Sequence, residues 1–185
     1  IRSDEAVETL IRQAAVELDG VDAVVANAGI IGQRKPIAEL SPADWKQTLD
    51  INLMGTINTI SAGARHLLAQ GRGGSLIATG SSAALRPIPG LLPYAVSKGA
   101  IHTLMHGLAL ELAPHRIRVN VLTPGTTATD ATRAMPGYLE AAGRALPMGE
   151  VVEAEELAAL VVFALSDKAP HMTGTMLKID SGRTL

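Results

Sequence analysis

The stretch SSAALRPIPGLLPYAVSK, from Ser81 to Lys98, holds the side chains best suited to acid–base chemistry. Tyr94 and Lys98 stand four residues apart, about one helical turn, so they share one face of a helix that begins near Pro93. Proline suits that start, because the N–H that it lacks has no partner in a first turn. A phenol beside an ammonium is a proton donor and acceptor usable near neutral pH. An unperturbed tyrosine has a pKa of ~10, a neighbouring positive charge favours the phenolate, and each unit of downward shift corresponds to roughly 1.4 kcal/mol. Ser81 precedes Tyr94 by thirteen positions and follows an apolar run, SLIATG, that reads as a buried strand. In open α/β sheets the carboxyl end of a strand is where ligands bind.

The chain must supply a scaffold for these groups. Its 185 residues favour one domain with a sizeable core. A net charge of −2 without long runs of either sign argues against nucleic acid or an anionic membrane as the main partner. The absence of cysteine excludes disulfides and thiolate chemistry. No apolar run of about 18 residues suggests a transmembrane helix. Arg2, Asp4, Glu5 and Glu8 interrupt any signal-peptide core, so a cytoplasmic protein is expected. With one Trp, one Phe and two Tyr, the core must be aliphatic. The chain opens on Ile1 and leads almost directly into a helix, which reads as the remainder of a longer natural chain.

Ser3 can cap a helix whose apolar stripe is Val7, Leu10, Ile11, Ala14 and Leu18, with Gly20 as its stop. VDAVVANAG, residues 21–29, reads as a buried parallel strand. Ser41, Pro42 and Asp44 form a strong helix start, with Leu40 and Trp45 placed for a hydrophobic staple. That helix is expected to continue to about Leu68 and to carry Asn52, a poor mid-helix residue whose cost suggests a purpose. A helix from Tyr94 to Leu112 is lined with small residues that permit close packing, within the chain or across a dimer. IRVNVLTPG supplies a strand from Ile117 to Leu122, and residues 130–150 read as a long lid or binding loop. A helix over about Glu153–Ser166 and a strand within MTGTMLKIDSG close the chain. Strands alternating with helices imply a mostly parallel sheet covered on both faces. His102 and His106 lie one turn apart, but no third zinc ligand is evident. Arg86, Arg116 and Arg118 read as solvated charges or ion-pair partners.

Ser81, Tyr94 and Lys98 match the Ser…Tyr-x-x-x-Lys signature of the short-chain dehydrogenase/reductase family, which this chain resembles from Asn27 to Gly182. Asn27-Ala28-Gly29 resembles the family's Asn-Asn-Ala-Gly, with Ala26 in place of the first Asn. Pro124-Gly125 followed by Thr127 and Thr129 resembles Pro-Gly-x-[Ile/Val]-x-Thr, with Thr127 departing from Ile or Val. Residues 173–182 resemble the family's Thr-Gly…Val-Asp-Gly-Gly ending.

The resemblance implies an α/β, Rossmann-like doubly wound sheet from which the N-terminal βα units are missing, so that residues 1–185 form a single truncated oxidoreductase domain. It implies Tyr94 as general acid/base, Lys98 lowering its pKa and holding the nicotinamide ribose, Ser81 donating to the substrate oxygen, and Asn52 extending the relay to water. Asn27, Ala28, Gly29, Pro124, Gly125, Thr127 and Thr129 would meet NAD or NADP, with Thr129 and the backbone near Thr127 holding the carboxamide. The glycine-rich loop Thr-Gly-x-x-x-Gly-x-Gly, and the residue that tells NAD from NADP, do not occur in this sequence, so residues 1–185 alone are expected to bind a dinucleotide poorly. The implied partners are a small-molecule alcohol or ketone and a second copy, in a homodimer or homotetramer. Two alternatives stand beside this reading: a sugar-nucleotide epimerase or dehydratase of the extended branch, and a non-catalytic interaction subunit.

Overall fold

A computed structural model describes residues 1–185. The first helix, α1 (Asp4–Glu17), is capped by Ser3, whose side chain accepts from the Ala6 N–H. Val7 and Ile11 are buried as the helical spacing predicts. Leu10 and Leu18 are instead exposed, at 61% and 71%. Leu18 has left the helix as its C-cap, and Leu10 lines an open apolar groove with Ile1 and Val25.

Four parallel strands form the sheet, in the order β1 (Ala23–Ala26), β2 (Gly74–Thr79), β3 (Ile117–Pro124), β6 (Met176–Ile179). Strand β1 is shorter than the apolar run, because the ladder to β2 ends at Ala26 and frees Asn27–Gly29 to form a rim. Strand β3 runs two residues further than the sequence suggests, since Thr123 and Pro124 stay paired with β6.

Ser41 and Asp44 close a reciprocal capping box at the start of α2 (Pro42–Leu49). The helix then widens into a π-helical turn, Asp50–Met54, before resuming as α3 (Gly55–Gln70) and ending on left-handed Gly71. A continuous α-helix was expected there, but the π turn inserts one wider loop of backbone, and Asn52 sits inside it, fully buried. Single-turn π bulges of this kind are frequent at functional sites.

The long helix α4 (Leu92–Leu112) and α3 pack their aliphatic side chains against one face of the sheet, where Leu76, Ala78, Val119 and Val121 point inward. On the opposite face, α7 (Ala154–Leu165) covers Ile77, Leu122 and Leu177. Alternate residues of each strand thus feed two cores, as a parallel sheet buried on both sides requires. Between β3 and α7 the chain makes a short two-stranded pairing, β4 (Thr127–Ala128) with β5 (Val152–Glu153). Residues 130–150, expected as an irregular loop, contain two short helices, α5 (Asp130–Arg133) and α6 (Tyr138–Arg144). Local caps explain them: Thr129 and Thr132 close a capping box, and Gly137, at φ +69°, turns the chain into α6.

Candidate active site

Strand β2 ends at Thr79, and Ser81 follows in extended backbone at the head of a 3₁₀ turn, where its hydroxyl accepts from the Ala83 N–H at 3.1 Å. Pro93 lies in the first turn of α4, so Tyr94 and Lys98 project from successive turns toward the end of β2. The Ser81 side chain lies close enough to the Tyr94 phenol to act on its titration. Lys98 is 4% exposed; its Nζ donates to the Thr79 carbonyl at 2.6 Å and stands 5.9 Å from the centroid of the Tyr94 ring. The structure therefore brings together the three residues singled out by spacing.

Asn52 joins them through its carboxamide. Oδ1 accepts from the Ile30 N–H at 2.8 Å, while Nδ2 donates to the Ile30 carbonyl at 2.8 Å and to Ser97 Oγ at 3.1 Å. Ser97 in turn donates to the Tyr94 carbonyl at 2.7 Å. Ser97 is a link that sequence reasoning missed, because it reads as one more small helix residue. The Asn52 carbonyl, in the π turn, accepts from Thr56 Oγ1 at 2.7 Å.

Thr79 is a second unforeseen link. Its hydroxyl donates to Asn27 Oδ1 at 2.8 Å, tying the ends of β1 and β2, while its carbonyl holds Lys98. Ala28 and Gly29 continue this rim, exposed. A Cβ on Gly29 would lie 3.2 Å from Asn52 Oδ1 and 3.4 Å from Lys98 Nζ, so the rim needs a bare backbone beside the ammonium. Across the sheet, Gly125 follows Pro124 and donates to the Ile179 carbonyl at 2.8 Å; a Cβ there would come within 2.6 Å of Asp180 Cα. Packing on buried Asp180 thus explains this glycine. Thr127 donates its hydroxyl to the Gly125 carbonyl at 3.2 Å. Thr129 spends its hydroxyl on the cap of α5, pairing with Thr132.

The electrostatics depart from the sequence reading in one respect. Lys98 was expected to lower the Tyr94 pKa. Burial instead pushes the phenol above its usual value, and the neighbouring Ser81 hydroxyl pulls the other way without overcoming it. The ammonium also suffers from burial, which lowers Lys98 to about 8. Of the two, Lys98 is the group that titrates near neutrality. His102, one turn further along α4, is held below its normal value by burial and then by Lys98; its Nε2 lies 3.3 Å from Thr123 Oγ1. Arg118 is neither a solvated charge nor an ion-pair partner, since it caps the C-terminus of α7 by donating to the carbonyls of Ala164, Leu165 and Ser166.

A hydroxyl pair at a strand end, a buried lysine behind it and a glycine rim beside it can exchange a proton with an oxygen and stabilise charge upon it. Comparison with known proteins says which proteins are built this way. A sequence-family model described as Enoyl-(Acyl carrier protein) reductase matches residues 1–184. The short-chain dehydrogenase/reductase eriH of Hericium erinaceus is 35% identical over 99% of this chain and 73% of its own length. This chain belongs to the short-chain dehydrogenase/reductase family. It is similar also to (-)-trans-carveol dehydrogenase of Rhodococcus erythropolis, at 32% identity over 100% of this chain and 73% of that enzyme. The crystal structure of 3-ketoacyl-(acyl-carrier-protein) reductase from Brucella melitensis complexed with NADH superposes with a TM-score of 0.90, at 27% identity, covering 100% of this chain and 76% of the other.

As a short-chain dehydrogenase/reductase the protein is an oxidoreductase enzyme, and the family's cofactors are NAD(H) or NADP(H). The residues present fit the nicotinamide end of such a molecule: Gly29 leaves bare backbone beside Lys98, whose ammonium has three N–H donors and gives one to Thr79. Thr129 fits less well, its hydroxyl being committed to a helix cap. No helix of the protein is long and apolar enough to cross a membrane.

Proposed function

We propose that the protein interconverts a secondary alcohol and a ketone, with Tyr94 as general acid/base. The dinucleotide, when bound, supplies or accepts the hydride. Tyr94 gives its phenolic proton to the carbonyl oxygen in reduction and takes one from the hydroxyl in oxidation. Ser81, beside Tyr94, donates to the same oxygen as negative charge develops on it. Burial keeps the phenol protonated at neutral pH, which suits a donor; a proton reservoir close behind it is then needed. Lys98, at about 8, is that reservoir, and the Ser97–Asn52 bonds hold the Tyr94–Lys98 turn to the π turn. Asn52 would complete the relay to water. Asn27, Ala28, Gly29, Lys98, Pro124, Gly125 and the backbone at Thr127 would meet the cofactor; Thr129 would do so only by exchanging its cap bond.

The observation that carries this reading is the buried Lys98 ammonium 5.9 Å from the Tyr94 ring, with Ser81 beside the phenol. The test is absorbance at 340 nm on the full natural protein, with NAD(H) and NADP(H) against a panel of secondary alcohols and ketones. A substrate-dependent change with one of the pairs is expected. No change with any nucleotide or substrate would favour the non-catalytic interaction subunit instead.

The same reading includes a homodimer or homotetramer. Gly99 and Gly107 of α4 carry no neighbour within 4 Å of where a Cβ would stand, and Val96 and Leu110 are exposed at 48% and 72%. These small and apolar residues suit close helix packing against a second copy.

A further inference from the structure

Two arginines close to the catalytic serine have no carboxylate partner. Arg86 stands in the loop after Ser81, its backbone N–H bonded to the Ser82 carbonyl, and Arg183 lies in the C-terminal tail. Arg86 Nη1 donates to the Arg183 carbonyl at 2.8 Å, and Arg183 Nη2 donates to the Arg86 carbonyl at 2.6 Å. Arg183 Nη1 also donates to Ser82 Oγ at 3.2 Å. Neither guanidinium takes part in any of the protein's ion pairs. The one acid that acts on Arg183 is Asp180, and its oxygens are already bonded to the backbone of Gly182 and Thr184 and to the Thr184 hydroxyl.

Two like charges held together repel, neither is ion-paired to the nearby Asp180, and a tail that needed only fastening could be fastened by one of them. Each guanidinium carries five N–H donors in a planar fork, and the three bonds above leave most of them free. Such a fork matches a carboxylate or phosphate in bidentate fashion. The position is as telling as the charge. Ser82 adjoins Ser81, so the Arg183 Nη1 atom lies within about 10 Å of the Ser81 Cα. The tail also touches the α6–β5 connection, where the Met148 N–H donates to the Ser181 carbonyl at 3.3 Å. An oxyanion held here would sit beside the site and not in it.

We propose that Arg86 and Arg183 form an anion subsite that holds a carboxylate or phosphate group on the substrate, away from the reacting carbon. This rests on the oxidoreductase reading, and it narrows the substrate to an alcohol or ketone bearing such a group. The forks bind the charged end and set the distance at which the carbonyl meets Ser81 and Tyr94.

The test begins with inorganic phosphate, followed through the arginine Nε–H signals of the full natural protein by NMR at constant ionic strength. Saturable shifts of the Arg86 and Arg183 signals are expected, with sodium chloride giving none. Arg86→Gln, which removes one of the three bonds that fasten the tail and keeps the two that Arg183 donates, and Arg86→Lys, which keeps both charges but loses one fork, should each weaken phosphate at least tenfold. Tyr94→Phe should bind phosphate as the wild type does. Shifts reproduced by chloride, or unchanged by both Arg86 variants, would overturn the subsite. A second readout assigns the anion to the substrate: the preference in kcat/KM for a ketone carrying a carboxylate over its neutral analogue should fall at least tenfold in Arg86→Gln. Phosphate binding with an unchanged preference would overturn that assignment and point to a phosphate of the cofactor. Phosphate binding with no reduction of either ketone would count against the oxidoreductase reading and leave the anion site standing.

Discussion

At the scale of single residues, the balance between burial and charge decides the chemistry. The ammonium of Lys98 is shielded from solvent and its neighbour is a carbonyl, so the cost of desolvating it is not recovered from an opposite charge. Its folded pKa, about 8, lies below the ordinary value of 10.5. The folded state therefore binds fewer protons than the unfolded state between those two values, and stability must rise with pH across that window. Urea unfolding of the wild type relative to Lys98→Met should show a gain on the order of 3 kcal/mol accumulating from about pH 8 toward 10.5. A flat difference would mean that the ammonium is solvated. The two tyrosines make the companion measurement simple: in Tyr138→Phe, phenolate absorbance in the unliganded protein should appear only above pH ~10, because burial raises Tyr94. Residue types, spacing and the family resemblance along the chain together picked out Ser81, Tyr94 and Lys98. The sign of the Tyr94 shift was not legible, because it depends on how much protein surrounds the ring, and a sequence gives neighbours along the chain, not around it.

At the scale of elements, the π turn and the strand ends do the positioning. Asn52 is costly in a helix, and the turn repays that cost by aiming its carboxamide at the Ile30 backbone and at Ser97. Asn52→Leu would strand the part-buried backbone N–H and C=O of Ile30, and should lower stability by about 2 kcal/mol in urea unfolding. A loss below about 1 kcal/mol would show that the turn stands without it. Asn52 was legible as an anomaly; the π turn was not, because five residues are too few for a wider period to register. Helices α5 and α6 were missed for a related reason: they are too short for periodicity to register, and they depend on the Thr129–Thr132 cap and on Gly137. That cap also engages the Thr129 hydroxyl, which the motif alone did not reveal.

At the scale of the molecule, the alternation of strands and helices was legible throughout, since buried parallel strands and amphipathic helices leave distinct patterns. Which helices face a second copy was not legible, because a small residue packs equally well inside a chain and between chains. The open space over Gly99 and Gly107 is what makes α4 the helix proposed to face one. Leu110→Glu should shift sedimentation velocity toward a monomer; an unchanged oligomer would place the interface elsewhere. The proposed chemistry rests on one phenolic oxygen, so the most direct test is Tyr94→Phe in the full natural protein. Turnover followed at 340 nm should be lost while nucleotide affinity, read from NAD(P)H fluorescence, stays near wild type. Residual turnover within about tenfold of wild type would contradict the assignment of Tyr94 as the proton donor.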